Sequence, residues 1–181
     1  REVVAPYDAQ RRRSNHETMK SVILFGYMCA GKTTVGKALA KSIGRSFYDL
    51  DWYIEDRYHK RIHEIFAEKG EDGFREIERR MLHEAAHFEN IILACGGGTP
   101  CFSDNADFCN KVGTTVFLKA SPDTIIGHLG LSHTVRPLLE DKKGPELHQF
   151  IKMQLDQRMP FYEKAQLHFD VDILDNFKKI N

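Results

Sequence analysis

"GYMCAGKTT", Gly26–Thr34, sits between an apolar run and an amphipathic stretch, and its reading decides the fold. The run before it, "SVILF" (21–25), reads as a buried strand that ends at glycine. The stretch after it, "KTTVGKALAKSIG" (32–44), carries Val35, Leu39 and Ile43 at helical spacing and stops at Gly44. Gly26-x(4)-Gly31-Lys32-Thr33 therefore matches the phosphate-loop pattern in the context it needs, after a strand and opening a helix. N–H groups at a helix start, with the positive end of the dipole behind them, favour phosphate oxygens. Lys32 is placed to reach the β- and γ-phosphates of a nucleoside triphosphate, and Thr33 to offer its hydroxyl to Mg²⁺. Met28, Cys29, Ala30 and Thr34 complete the nucleotide-binding set. A glycine-containing helix start with an exposed lysine is the plainer alternative. Cys29 stands in one of the pattern's four free positions, where glycine would allow the tightest backbone wrap. At negative φ a cysteine there costs little; at positive φ it costs about 1 kcal/mol. In either case Cys29 is expected close to bound phosphate.

Working outward, "SFYDLD" (46–51) reads as a second strand that ends in acids, followed by short helices over 52–69. Residues 71–89 form a long amphipathic helix, with Phe74, Ile77, Met81, Ala85 and Phe88 on one face. "NIILACGGG" (90–98) is a third strand running into a glycine triplet, and "TTVFLKA" (114–120) a fourth. "PDTIIGHLG" opens a helix with Pro122 in its first turn. Residues 131–145 are polar and read as a mobile segment. "ELHQFIKMQLDQR" (146–158) is a helix broken at Pro160, and "LHFDVDI" (167–173) a fifth strand, with a terminal helix after it. Strands alternating with helices predict an α/β fold of three αβα layers, with a five-stranded parallel sheet covered on both faces. Ligands of such sheets sit beyond the carboxyl ends of the strands.

The chain has 181 residues, of which 41% are hydrophobic, enough for one packed domain over 19–181. Lys plus Arg and Asp plus Glu are both 26, so no charge excess points to a nucleic-acid or membrane partner. No apolar run has the length of a membrane span, and the charged first twenty residues lack a secretory core. Residues 1–18 read as a floppy extension or an added remnant ahead of Met19. Cys29, Cys95, Cys101 and Cys109 show no C-x-x-C pair, and suit reduced thiols in a cytoplasmic protein better than a metal site.

The side chains that could do chemistry follow the strands. Alternation along strand two puts Asp49 and Asp51 on one side and Leu50 on the other. Beside a phosphate loop, one acid can reach Mg²⁺ through its water shell and the other can accept a proton from an attacking hydroxyl. A pair of acids capping the next helix is the alternative. Arg75 and Glu78 are neighbours on the long helix, away from its apolar stripe, so Glu78 can hold Arg75 with its fork outward. Arg158 ends the later helix. Two guanidinium groups suit a carboxylate, because the planar fork matches it. Gly96, Gly97 and Gly98 let the backbone approach a ligand closely.

Taken together, "GYMCAGKTTVGKALA", "FYDLDWYIE", "GFREIE", "GGGTP", "RPLL" and "RMPFYEKA" occur in the order found in shikimate kinases. Over residues 21 to about 172 the chain resembles that branch of the P-loop kinases. The resemblance implies a P-loop kinase fold with a mobile lid, and transfer of the ATP γ-phosphate to the 3-hydroxyl of shikimate by a cytoplasmic monomer. Residue by residue, it implies that Lys32 and Thr33 act on phosphate and Mg²⁺. Asp49 reaches Mg²⁺ through water, and Asp51 binds the substrate hydroxyls and acts as base. Arg75 and Arg158 clamp the shikimate carboxylate, Gly96, Gly97 and Gly98 line the substrate pocket, and the lid residue Arg136 reaches the ATP phosphates. Two departures stand out. The family usually has glycine at Cys29, and many members carry a further lid arginine where this chain has His128 and Leu129. His128 then reads as a surface helix residue, with Lys37 or Lys142 as substitute cations. A kinase of another small hydroxy acid such as gluconate, and a catalytically weak nucleotide-binding regulator, are the competing readings.

Overall fold

The apolar run ahead of the phosphate loop becomes β1 (Val22–Phe25), the central strand of a parallel sheet. The computed structural model describes residues 20–131 and 143–174. Residues 1–18, Met19 and 132–142, which include Arg136, Lys142 and most of the 131–145 segment, lie outside them. After β1 come α1 (Lys32–Ile43), β2 (Ser46–Asp49), α2 (Leu50–Tyr58), α3 (Ile62–Ala85) and β3 (Ile91–Ala94). A single 3-10 turn (Thr99–Cys101) leads to α4 (Asn105–Val112), β4 (Thr114–Lys119), α5 (Pro122–Leu131), α6 (Gly144–Tyr162) and β5 (Leu167–Asp170). The strand order is β2-β3-β1-β4-β5, with every neighbouring pair parallel. The chain moves outward from β1 to β2 and then back across β1 to β4. With the right-handed crossovers such strands adopt, α1 and the later crossovers cover opposite faces. Ile91–Ala94 and Ile23–Phe25 are wholly buried, as central parallel strands require.

Several boundaries differ from the sequence reading, each for a local reason. The second strand stops at Asp49, because its carboxylate accepts from the N–H groups of Asp51 (3.0 Å) and Trp52 (3.4 Å) and starts α2. Strand alternation therefore does not place Asp51; a helix cap does. The short helix around "HEIFAEKG" and the long helix after it run together as α3, kinked where Gly70 takes φ +69°. Phe88 falls beyond its end but still packs on the core. In α1 the spacing was right and the face rotated by one residue: Gly36 and Ala40 are buried, while Ile43 is 44% exposed. A Cβ on Gly36 would stand 2.5 Å from the Phe47 ring and 3.0 Å from Leu24 Cδ1, so the helix comes as close to the sheet as glycine allows. The eight residues of α4 are too few to show a period, and sequence reading passed over them. Helix α6 runs through Pro160 to Tyr162, because a proline near the end of a helix forfeits only one backbone bond. β3 and β5 are shorter than read, ending at Ala94 and Asp170.

Two glycine substitutions test this packing by urea unfolding. Gly36→Ala should destabilise by about 1–3 kcal/mol through the clash with Phe47. Gly127→Ala, at an exposed α5 position with nothing within 4 Å of the new Cβ, should stabilise by up to about 1 kcal/mol.

Candidate active site

The chain leaves β1 through Gly26, whose φ of +149° and missing Cβ bring its backbone against the Leu118 carbonyl of β4. A β-turn over Tyr27–Ala30 follows, closed by the Ala30 N–H on the Tyr27 carbonyl at 3.1 Å. Cys29 is its third residue and takes φ +60°, so the costlier of the two cases applies: the loop carries about 1 kcal/mol of strain there. Gly31, φ +89°, is the N-cap of α1. Lys32 folds back over the loop and donates to the carbonyls of Gly26 (2.7 Å) and Tyr27 (2.8 Å). Burial lowers its pKa to about 8, against the opposing pull of Asp51 and Asp49. These two carboxylates and the ammonium therefore share one site.

Asp49 does two jobs, so the capping alternative and the functional one are both present. One oxygen caps α2, and the other accepts from Thr33 Oγ1 at 3.4 Å. Burial raises its pKa, opposed by the Trp52 and Asp51 N–H groups and by Lys32. A hydroxyl beside a carboxylate at the foot of a phosphate loop is a hard-oxygen donor set. It fits Mg²⁺, which keeps its waters and leans on substrate phosphates.

The glycine triplet joins the remaining parts. None of the three has positive φ, so space rather than conformation demands glycine. A Cβ on Gly96 would lie 2.9 Å from Asp51 Oδ1. One on Gly97 would lie 3.2 Å from the Met28 nitrogen and 3.4 Å from an Arg158 nitrogen. One on Gly98 would lie 3.0 Å from the Arg75 guanidinium. Arg75 and Arg158 thus converge from α3 and α6 on two adjacent residues. Both act on the Cys101 thiol, whose pKa burial pushes up to about 11 and the two arginines pull down.

Glu78 corrects the sequence reading: it faces the core, 1% exposed, not away from it. Its charge is satisfied there by Arg75 Nη1 at 2.8 Å and Thr99 Oγ1 at 2.6 Å. Arg75 is likewise turned in, its guanidinium 3.8 Å from the Phe102 ring centroid. Arg158 lies 5.1 Å from the Tyr27 ring centroid and donates to Gln154 at 3.0 Å.

Between these groups opens a crevice of about 750 Å³. Met28, Cys29, Gly31, Lys32, Thr33, Thr34, Asp49, Asp51, Gly96 and Gly97 line it. Ala30 is buried beneath the loop, and Gly98, Arg75 and Arg158 stand behind Gly97. Arg136 lies outside the described residues. Lys37 holds its ammonium over Trp52, 5.0 Å from the ring centroid. His128 is no plain surface residue: it lines the crevice and bonds the phosphate loop. Sequence reading gave no role to Tyr162, whose hydroxyl donates to the Gly97 carbonyl at 2.5 Å, or to Val171 and Leu174, which make one wall apolar. "RMPFYEKA" held the signal for Tyr162; the apolar wall comes from a segment with no motif.

Comparison with known proteins agrees with this geometry. A family model described as shikimate kinase matches residues 28–178. The shikimate kinase of Parabacteroides distasonis is 56% identical over 154 residues, 85% of this chain and 89% of that protein. The crystal structure of shikimate kinase from Bacteroides thetaiotaomicron superposes with a TM-score of 0.82 at 51% identity, covering 85% of this chain and 88% of that one. That of shikimate kinase from Acinetobacter baumannii in complex with shikimate gives a TM-score of 0.76 at 32% identity, over 91% of this chain and 93% of that one. A phosphate loop, an acid and two arginines gathered on one glycine triplet thus come with shikimate kinase relatives, and the chain belongs to the shikimate kinase family.

Proposed function

We propose that the chain transfers the γ-phosphoryl group of ATP to the 3-hydroxyl of shikimate, giving shikimate 3-phosphate and ADP. The observation that carries this reading is the convergence of Arg75, Arg158 and Asp51 on Gly96–Gly98, beside the phosphate loop. A small hydroxy acid needs a carboxylate clamp and a hydroxyl acceptor within one molecule's reach. The two guanidinium groups grip the carboxylate, each pre-set by its own partners: Glu78 and Phe102 for Arg75, Gln154 and Tyr27 for Arg158. Asp51 orients the attacking hydroxyl and takes its proton. Lys32 moves from the loop carbonyls to the phosphates, and the N–H groups opening α1 hold them in line. The apolar wall of Leu131, Val171 and Leu174 takes the purine base. Thr33, and Asp49 through water, would hold Mg²⁺, which would supply positive charge to the transferring group. The protein acts as a cytoplasmic monomer: ATP is supplied there, and four free thiols suit a reducing compartment.

ADP release with Mg-ATP should be fast with shikimate and slow with gluconate, AMP or buffer. Equal rates with and without shikimate would sink the proposal. Arg158→Lys should raise the KM for shikimate about tenfold or more and leave that for ATP within about twofold, since an ammonium cannot form the fork. Equal losses for both substrates would count against the clamp. The pH dependence follows from Lys32. Its pKa in the free enzyme is about 8, so below that pH it is a cation and above it the charge is lost. kcat/KM for ATP should fall as pH rises through about 8. The limb in kcat should lie higher, because bound phosphate holds the proton on. A kcat/KM that stays flat to about pH 9.5 would contradict the assignment.

A further inference from the structure

The strained residue of the phosphate loop is tied to a helix far away in sequence. His128, on α5, places its ring Nδ1 2.8 Å from the carbonyl oxygen of Cys29, 99 positions earlier. A carbonyl only accepts, so Nδ1 carries the hydrogen. The same peptide unit is bonded at its other end, where the Ala30 N–H donates to the Tyr27 carbonyl at 3.1 Å. A trans peptide points its C=O and N–H in opposite directions. The plane between Cys29 and Ala30 is therefore gripped from both sides.

We propose that His128 is a positioning residue for nucleotide binding, which holds the Cys29–Ala30 peptide so that the N–H groups of the next residues face the phosphates. The need for a grip comes from Cys29 itself. At φ +60° a side chain is strained, and the loop gains by relaxing toward negative φ unless something outside it fixes the plane. Lys32 cannot serve throughout, because it holds other carbonyls, those of Gly26 and Tyr27, and leaves them when phosphate binds. His128 bonds a different carbonyl and stays. Its own helix is anchored: Ser121 Oγ accepts from the Thr124 N–H at 3.2 Å, and Asp172 accepts from the Ser121 N–H at 3.0 Å. The clamp thus links the loop after β1 to the segment after β5 through α5.

The inference rests on the loop being the nucleotide site, and the test separates the two. Mg-ADP binding is measured by calorimetry, and KM for ATP and for shikimate by ADP release, for the wild type, His128→Phe and His128→Asn. Phenylalanine keeps the ring and loses the donor; asparagine places an amide N–H close to the position of Nδ1. His128→Phe should weaken Mg-ADP binding and raise the KM for ATP about tenfold, with the KM for shikimate changed less than about twofold. His128→Asn should recover most of the loss. His128→Ala repeats the deletion without the ring if phenylalanine is not accommodated. Unchanged nucleotide constants in the deletion variants would overturn the clamp. So would equal weakening of both substrates, or no recovery with asparagine. A wild type that binds no Mg-ADP would overturn the nucleotide reading and the clamp with it.

Discussion

A Cβ at Gly96, Gly97 or Gly98 would crowd the groups packed against it, and the rest of the site depends on that constraint. Asp51, the phosphate loop, Arg158 and Arg75 come from four separate stretches of chain, and each packs against one of these three missing methyl groups. The triplet follows β3, whose four residues are all buried between β1 and β2. It is thus held by the most enclosed part of the sheet, and the functional groups are held against it. Tyr162 closes the arrangement from α6 by bonding the Gly97 carbonyl, and burial pushes its own pKa up. Precision here comes from contact with a rigid backbone, so long side chains such as arginine lose little further freedom when a ligand arrives.

The same economy appears in the electrostatics. Lys32, Asp49 and Asp51 are enclosed together, and the ammonium offsets the burial of the carboxylates as they offset its own. Lys32 rests on loop carbonyls, Asp49 on helix N–H groups, and Glu78 on Arg75 and Thr99. The loop around Lys32 carries strain at Cys29, as sites that bind anions through their backbone often do. Strain of about 1 kcal/mol is small beside the charge it helps to place.

Much of this was legible before any coordinates. The phosphate loop, the strand alternation with helices and the arginine and glycine motifs are local signals, each set by a few consecutive residues. They were enough for the fold class and for the five strands, and they pointed to residues that the structure gathers around one crevice. What was misplaced lies where local signals compete. "YDLD" satisfies both a strand period and a helix cap, and the cap won because Asp49 can accept two N–H bonds at once. Glu78 carries a charge and so reads as exposed, yet Arg75 on its own helix and Thr99 on the 3-10 turn satisfy it inside. His128 reads as a surface residue of a short helix, because its partner is 99 positions away.

By itself the sequence determined which chemistry is possible: glycines that free the backbone, a lysine and a threonine at a helix start, two acids and two arginines. These are properties of residue type and short spacing. Tertiary structure alone decided which of those groups meet. The order β2-β3-β1-β4-β5 brings the ends of β1, β2 and β3 side by side, and α3 and α6 reach the same triplet from positions 75 and 158. Whether a cysteine could stand in the loop was also decided there. Cys29 takes φ +60° in a turn closed within the loop and bonded by a histidine on another element, and no stretch of local sequence contains both.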